Sequence, residues 1–295
     1  MDDIYLSTES LTKHYKGIAA NDGITVRIPR GRITGFIGRN GSGKTTMIRL
    51  LTGLAVPTSG KILFSDADAS LHTGAIVENP AFFGNMTARE NVVYESKICG
   101  TDPRKADELL RMAGLDPENR RKVKNYSLGM KQRLGIALAL VNDPEFLILD
   151  EPTNGLDPQG MIEMRDFLHT LSREKGVTIL VSSHLLGELE RIADRYIFID
   201  SGRIIEQIDS SEVESRMSQR FVAEIASNPA AAKELLDACV ADGAVSFCSL
   251  DGTRLTLSGI NDYNRVIEAL AKLDVRDMHT EASNLEKYYL ERVGE

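Results

Sequence analysis

The chain has 295 residues, of which 43 are acidic and 35 basic, for a net charge of −8 at neutral pH. That balance excludes a protein held to nucleic acid mainly by charge, and no apolar run approaches the ~20 residues needed to cross a bilayer. Three cysteines, Cys99, Cys239 and Cys248, are far apart and lack metal-ligand partners at regular spacing, which fits a reducing compartment and offers no catalytic thiol. Met1-Asp2-Asp3 lacks the basic start and apolar core of a signal peptide, so the expected location is cytoplasmic.

In chain order, the first informative element is Ile33-Thr34-Gly35-Phe36-Ile37, an apolar run that reads as a buried strand. It leads into Gly38-Arg39-Asn40-Gly41-Ser42-Gly43-Lys44-Thr45-Thr46, which fits the phosphate-binding pattern G-x-x-x-x-G-K-[ST]. Glycines let successive backbone N–H groups point at one anion, Lys44 adds a point charge at the outer phosphates, and the Thr45 hydroxyl is placed to hold Mg²⁺. A helix over Thr46–Leu51 is expected to follow. Such a strand, loop and helix bind and hydrolyse a nucleoside triphosphate.

The stretch from about Asn79 to Leu140 lacks strand alternation and reads as helical, with helices over Ala88–Cys99 and Arg104–Ala113. Its basic run Arg120-Arg121-Lys122-Val123-Lys124 reads as a solvated helix face or loop. Next, Asn125-Tyr126-Ser127-Leu128-Gly129-Met130-Lys131-Gln132-Arg133 is a Ser/Gly turn opening an apolar helix from about Met130 to Val141, and its free N–H groups make a second anion site. Phe146-Leu147-Ile148-Leu149 reads as a parallel strand ending in Asp150-Glu151, where open α/β sheets bind ligands. Asp150 is the expected Mg²⁺ partner, either directly or one shell out, and Glu151 the general base that polarises the attacking water. A turn or helix cap is the alternative reading of that acidic pair. Asn154-Gly155-Leu156-Asp157 follows. Then comes the strand Val177–Val181 with Ser182-Ser183-His184 beyond it; His184, 34 residues past Asp150, reads as a γ-phosphate sensor.

These motifs, Gly38–Thr46, Ser127–Arg133, Leu147–Asp157 and His184 in that order, resemble an ATP-binding-cassette ATPase over roughly residues 1 to 220. The resemblance implies that Tyr15 stacks on adenine. It implies that Ser127 and Gly129 belong to a signature closing over ATP held by a second copy, so that two nucleotides are sandwiched in a head-to-tail homodimer. Asp157 matches the loop that crosses that interface. The signature here reads Tyr-Ser-Leu-Gly-Met, with Leu128 and Met130 in place of the family's commonest glycine and glutamine.

In Gly74-Ala75-Ile76-Val77-Glu78-Asn79-Pro80, the position of the family's glutamine loop carries glutamate, which keeps the reach to Mg²⁺ and the attacking water but brings a full negative charge. The stretch Ile76–Asn91 resembles the bacitracin-resistance and lantibiotic-immunity exporters. That likeness implies separately encoded transmembrane permease subunits of the ABC-2 type, with this chain peripheral on the inner face of the membrane. Phe82, Phe83 and Tyr94 either line the groove for a coupling helix or pack as core.

Beyond His184, a helix over Leu185–Ala193, a hairpin of Tyr196–Asp200 and Arg203–Gln207 and a short helix at Ser211-Glu212-Val213-Glu214 close the first domain. From Gln219 the order is strand (Phe221–Ile225), helix opened by Asn228-Pro229, hairpin (Val245–Leu250, Thr253–Leu257), helix (Asp262–Leu273), strand (Val275–His279) and a last helix (Leu285–Val293). The expected fold is an α/β phosphate-loop ATPase core, 1–218, with a helical subdomain at about 79–140. A small ferredoxin-like α+β domain, 219–295, completes it. The expected function is the ATP-hydrolysing subunit of a peptide-antibiotic exporter. The alternative is a soluble cassette ATPase acting on ribosomes or DNA, against which Lys44 and Ser127 are only 83 residues apart and the cassette is single.

Overall fold

The computed structural model describes residues 3–66, 72–216, 220–226, 229–281 and 285–293. The first unit, up to Ser210, is built on two sheets. One is antiparallel: β1 (Ile4–Tyr15) pairs with β2 (Ile18–Ile24), β3 (Arg27–Pro29) and, after β4 (Ile33–Ile37) and α1 (Lys44–Leu51), with β5 (Ser59–Phe64).

The second sheet is assembled from distant segments. After β6 (Thr73–Ile76) come the helices α2 (Ala88–Cys99), α3 (Ala106–Met112) and α4 (Leu128–Ala139). Then follow β7 (Phe146–Asp150), α5 (Pro158–Lys175), β8 (Thr178–Ser183), α6 (Leu186–Leu189), β9 (Arg195–Asp200) and β10 (Arg203–Asp209). The strand order is β10-β9-β4-β8-β7-β6, parallel except for β10. Every residue of β4, β7 and β8 is buried, as expected of parallel strands covered on both faces, which need apolar side chains without alternation. Tyr5 of β1 meets Phe146 of β7 at a ring-centroid distance of 5.3 Å, locking the two sheets into one core with Phe36, Ile148, Leu180 and Ile199. Register then sets the site: Ile37 pairs with Ser183 and Asp150 with Ser182, so β4, β7 and β8 end side by side.

Some boundaries differ from expectation for visible reasons. Helix α1 begins at Lys44 rather than Thr46, because left-handed Gly43 caps it and the Gly43 carbonyl accepts from Met47 N at 2.9 Å. Helix α4 begins at Leu128, since Ser127 is its N-cap and accepts from Met130 N at 3.3 Å. The helix expected over Leu185–Ala193 is shorter, Leu186–Leu189. Asp194 donates its N–H to Ile33 O at 2.9 Å and its carboxylate accepts from Ile33 N at 2.9 Å, drawing the chain onto β4 before the helix can continue. Within the helical segment, Thr87 and Glu90 form a reciprocal capping box at the start of α2, and a 3₁₀ turn over Pro103–Lys105 precedes α3.

The second unit runs from Ser211. Helix α7 (Ser210–Arg216) leads to β11 (Arg220–Ile225), α8 (Pro229–Ala241), β12 (Val245–Asp251), β13 (Arg254–Ile260), α9 (Tyr263–Leu270), β14 (Val275–Glu281) and α10 (Leu285–Val293). Gln219, the expected domain start, and Asn228, the expected opener of α8, lie outside the described residues. The sheet order β12-β13-β11-β14, antiparallel throughout, is that of a ferredoxin-like β-α-β-β-α-β unit. Ala223, Ile225, Leu255, Leu257, Val266 and Ala269 form its core. The helix expected from Asp262 begins one residue later, with the Asp262 carboxylate accepting from Arg265 N at 3.1 Å as its cap.

Candidate functional site

The loop between β4 and α1 holds a shape that its glycines alone permit. Gly41 and Gly43 have φ of +81° and +108°, values that side-chain-bearing residues seldom adopt. A Cβ on Gly43 would stand 2.5 Å from Ala20 O and 2.7 Å from Asn21 Nδ2, and one on Gly38 would stand 2.4 Å from both Ile199 O and Ser42 Oγ. At Gly41 an added Cβ would meet no atom within 4 Å, because this part of the loop faces the open cleft. Ser42 Oγ is buried and has no hydrogen-bond partner among the described residues.

Lys44, only 6% exposed, folds back to donate to Gly38 O at 2.5 Å and Arg39 O at 3.2 Å, and lies 3.7 Å from Glu151 Oε1. Burial pulls its ammonium below the ordinary value of 10.5, with Glu151 and Asp150 acting in the opposite direction. A phosphate anion favours the charged lysine, so binding takes up a proton wherever the free protein has begun to lose it. ATP affinity is therefore expected to fall as pH rises through this lowered value, below the range of an ordinary lysine. Calorimetry in buffers of different ionisation enthalpy across the alkaline range checks this; binding with no proton uptake there would contradict it.

At the end of β7, Asp150 Oδ1 accepts from Ser182 Oγ at 2.6 Å and Oδ2 from Thr45 Oγ1 at 3.2 Å. With its proton spent on Asp150, the Thr45 hydroxyl turns lone pairs outward, a hard oxygen donor suited to Mg²⁺. Among the described residues no group of three or more His, Cys, Asp or Glu side chains converges, so a cation here takes its remaining ligands from phosphate and water, the usual habit of Mg²⁺. Thr45 and Asp150 fit that cation.

Glu151 has a left-handed backbone, φ +52°, held by its N–H donating to Ser182 O at 3.2 Å and Ser182 Oγ at 3.0 Å. Its Oε2 accepts from His184 N at 3.3 Å and lies 2.6 Å from His184 Nδ1. An ionised carboxylate only accepts, so Nδ1 carries a proton and donates it to Glu151. The carboxylate is thus fixed from both sides, by Lys44 and by His184. Glu78 repeats the unusual backbone, φ +61°, and its carboxylate is paired with the Arg49 guanidinium of α1. Left-handed residues with side chains are costly, and two of the six among the described residues, Glu78 and Glu151, line this cleft.

The cleft these residues share holds about 580 Å³ and is lined by Asn40, Gly41, Gly43, Lys44, Thr45 and Thr46 on one side. Glu78, Asp150, Glu151 and His184 line the other, with Ala20, Arg39, Asn79 and Asn154 at its margins. Six expected site residues do not line it: Gly38 and Ser42, which are buried within the loop, and Tyr15, Ser127, Gly129 and Asp157. Tyr15 is 43% exposed at the end of β1, with Lys13 Nζ 5.0 Å above its ring. Ser127 caps α4, and Asp157 caps α5 by accepting from Gly160 N at 2.9 Å. A Cβ on Gly129 would touch Leu156 Cδ2 at 3.3 Å and one on left-handed Gly155 would strike Leu128 Cδ2 at 2.6 Å, so the turn at Ser127 packs directly on the Asn154–Asp157 loop. Phe83 and Tyr94 are both exposed and meet edge to face at 4.9 Å, so they are surface rather than core.

Arg49, Asn21 and Ser182 were not singled out from the sequence. Arg49 stands four residues past Thr45 on one helix, a spacing that puts both on one face. Asn21, whose Nδ2 donates to Gly43 O at 3.2 Å, carries no comparable signal.

Sheet topology, glycine loop and acidic strand end together define a phosphate-loop ATPase. A family model described as ABC transporter matches residues 21–154. The bacitracin transport ATP-binding protein BcrA of Bacillus licheniformis is 46% identical over 72% of this chain and 72% of its own. That of Enterococcus faecalis is 37% identical over 98% and 96%. The lantibiotic transport ATP-binding protein SrtF of Streptococcus pyogenes is 41% identical over 70% of this chain and 93% of its own. Among solved structures, the dimeric ATP-binding cassette MJ0796 bound to ADP and Pi matches with a TM-score of 0.63 and 26% identity, over 70% of this chain and 98% of that one. The chain belongs to the ATP-binding proteins of ABC transporters, and it is an ATPase.

Proposed function

We propose that this ATPase powers export of a peptide antibiotic of the bacitracin or lantibiotic kind. It would work as a homodimer beneath separately encoded ABC-2 type permease subunits, peripheral on the cytoplasmic face of the membrane. The observation that carries the cargo class is the 37% identity along 98% of the chain with a bacitracin transport protein. No helix among the described residues is long and apolar enough to cross a membrane, so a transport path needs other subunits. The exposed Phe83 and Tyr94 pair, beside the Glu78 loop, is the surface we assign to one of them.

In this reading Gly38–Thr46 and Lys44 bind the phosphates, and Thr45 and Asp150 hold Mg²⁺, which would neutralise phosphate charge. Glu151 accepts the proton of the attacking water while His184 fixes its carboxylate, and Glu78 faces the same water. Tyr15, standing outside the cleft, would stack on adenine. Ser127 and Gly129, equally distant from their own chain's phosphate loop, would close on the nucleotide of a second copy, with Asp157 in the loop crossing between them. Distance from the cleft supports this assignment, because the dipole at the N-terminus of α4 favours an anion that would come from another molecule's nucleotide.

The test is mass spectrometry of what co-purifies with a tagged chain from gently solubilised membranes, followed by antibiotic challenge of a strain lacking it. A polytopic partner and sensitivity to peptide antibiotics are expected. Recovery with ribosomes or DNA, and no membrane partner, would replace this proposal with a soluble ATPase.

A further inference from the structure

We infer that Arg49 is a positioning residue that supplies the counter-charge for Glu78, keeping that carboxylate from repelling the nucleotide. The inference deepens the ATPase reading above and rests on it. The cleft is lined by three carboxylates, Glu78, Asp150 and Glu151, against two cations, exposed Arg39 and buried Lys44. Asp150 is satisfied by Ser182 and Thr45, and Glu151 by His184 and Lys44. Asp150 keeps its charge, since both of those hydroxyls are neutral, whereas Glu78 is paired with a cation, Arg49, whose own side chain is not part of the lining.

The pair is half exposed, with 43% of the Arg49 side chain and 53% of the Glu78 side chain open to solvent, so it adds little to folding stability. Its consequence lies in the cleft's charge. An incoming nucleoside triphosphate brings several negative charges to a site whose lining is already short of cations, and a carboxylate within a few ångströms opposes them unless compensated. Arg49 is suited to that task by position, since α1 starts in the phosphate loop and carries the guanidinium to a fixed place one turn beyond Thr45. Pairing also holds the left-handed Glu78 in place at the cleft's margin. A neutral amide at this position would need no counter-charge, so the arginine matters because the residue is glutamate.

The experiment is a cycle of equilibrium ATP binding on the full chain: parent, Arg49→Gln, Glu78→Gln and the double variant, with Arg49→Lys as rescue and thermal melting to verify folding. Arg49→Gln is expected to weaken ATP binding about fivefold to tenfold when Glu78 is present and by less than about twofold in the Glu78→Gln background. Arg49→Lys restores most of the loss, and the loss shrinks with added salt. Equal weakening in both backgrounds would show that Arg49 acts on the nucleotide or fold by itself, and no weakening in either would remove its role; both overturn the inference while leaving the ATPase intact. Failure of the folded parent to bind ATP would instead sink the ATPase reading, and this inference with it.

Discussion

Glu151→Gln is expected to lower ATP turnover by about 10²-fold to 10⁴-fold, the usual range for loss of a general base, while ATP still binds. The structure separates the two effects. Binding rests on the loop glycines, Lys44 and the Thr45–Asp150 contact, none of which the substitution removes. Proton abstraction rests on a carboxylate that His184 Nδ1 and Lys44 hold in place and that Ser182 positions through the backbone. Glutamine keeps an acceptor oxygen for His184, so the geometry survives while the base and the charge facing Lys44 are lost. The variant should therefore accumulate as an ATP-bound dimer, visible as a nucleotide-dependent shift in sedimentation alongside absent phosphate release. Turnover within threefold of the parent would remove Glu151 from its assigned role and leave the carboxylate as a structural partner of His184.

That prediction stood on residues readable from the chain itself, and the reason is physical. A phosphate loop needs glycines at fixed spacing, and a parallel strand buried on both faces must be a continuous apolar run, so Ile33–Thr46 and Phe146–Glu151 announce both structure and chemistry. The register of β4, β7 and β8, which brings Ile37, Asp150 and Ser183 to one edge, is not local and emerges only in the sheet. The same holds for the positive φ of Glu78 and Glu151: nothing in a glutamate's identity signals a left-handed backbone, which at Glu151 is held by bonds to Ser182, 31 residues away. Helix α6 is shorter than the helical apolar spacing over Leu185–Ala193 predicts, because the Asp194–Ile33 bonds that close the segment cross 161 residues. Ser127, Gly129 and Asp157 mark a different limit. The single chain keeps them out of the cleft, and their proposed roles require a second copy.

A large structural effect within the site is expected at Gly43. Alanine there meets two separate costs: a φ of +108°, outside the range of L side chains, and a Cβ 2.5 Å from Ala20 O and 2.7 Å from Asn21 Nδ2. Left-handed backbone costs an L residue about 1–2 kcal/mol, and overpacking against backbone adds roughly 1–3 kcal/mol. Their sum is a large part of the ~5–15 kcal/mol that stabilises a domain. Ala20 O belongs to β2 and cannot rotate away as a side chain would, so the loop itself must shift, carrying with it Lys44 and the first turn of α1.

Gly43→Ala is thus expected both to destabilise the first unit and to weaken ATP binding by more than about tenfold, equivalent to ~1.4 kcal/mol. Gly41→Ala is the matched control: its φ of +81° is also unfavourable, but the added methyl meets nothing within 4 Å. It should pay only the backbone cost, about 1–2 kcal/mol. Denaturant unfolding of the two variants beside the parent measures the difference. Equal destabilisation would mean that β2 yields to the new methyl group, and that the close packing of Ala20 and Asn21 beneath the loop is not what gives the loop its shape.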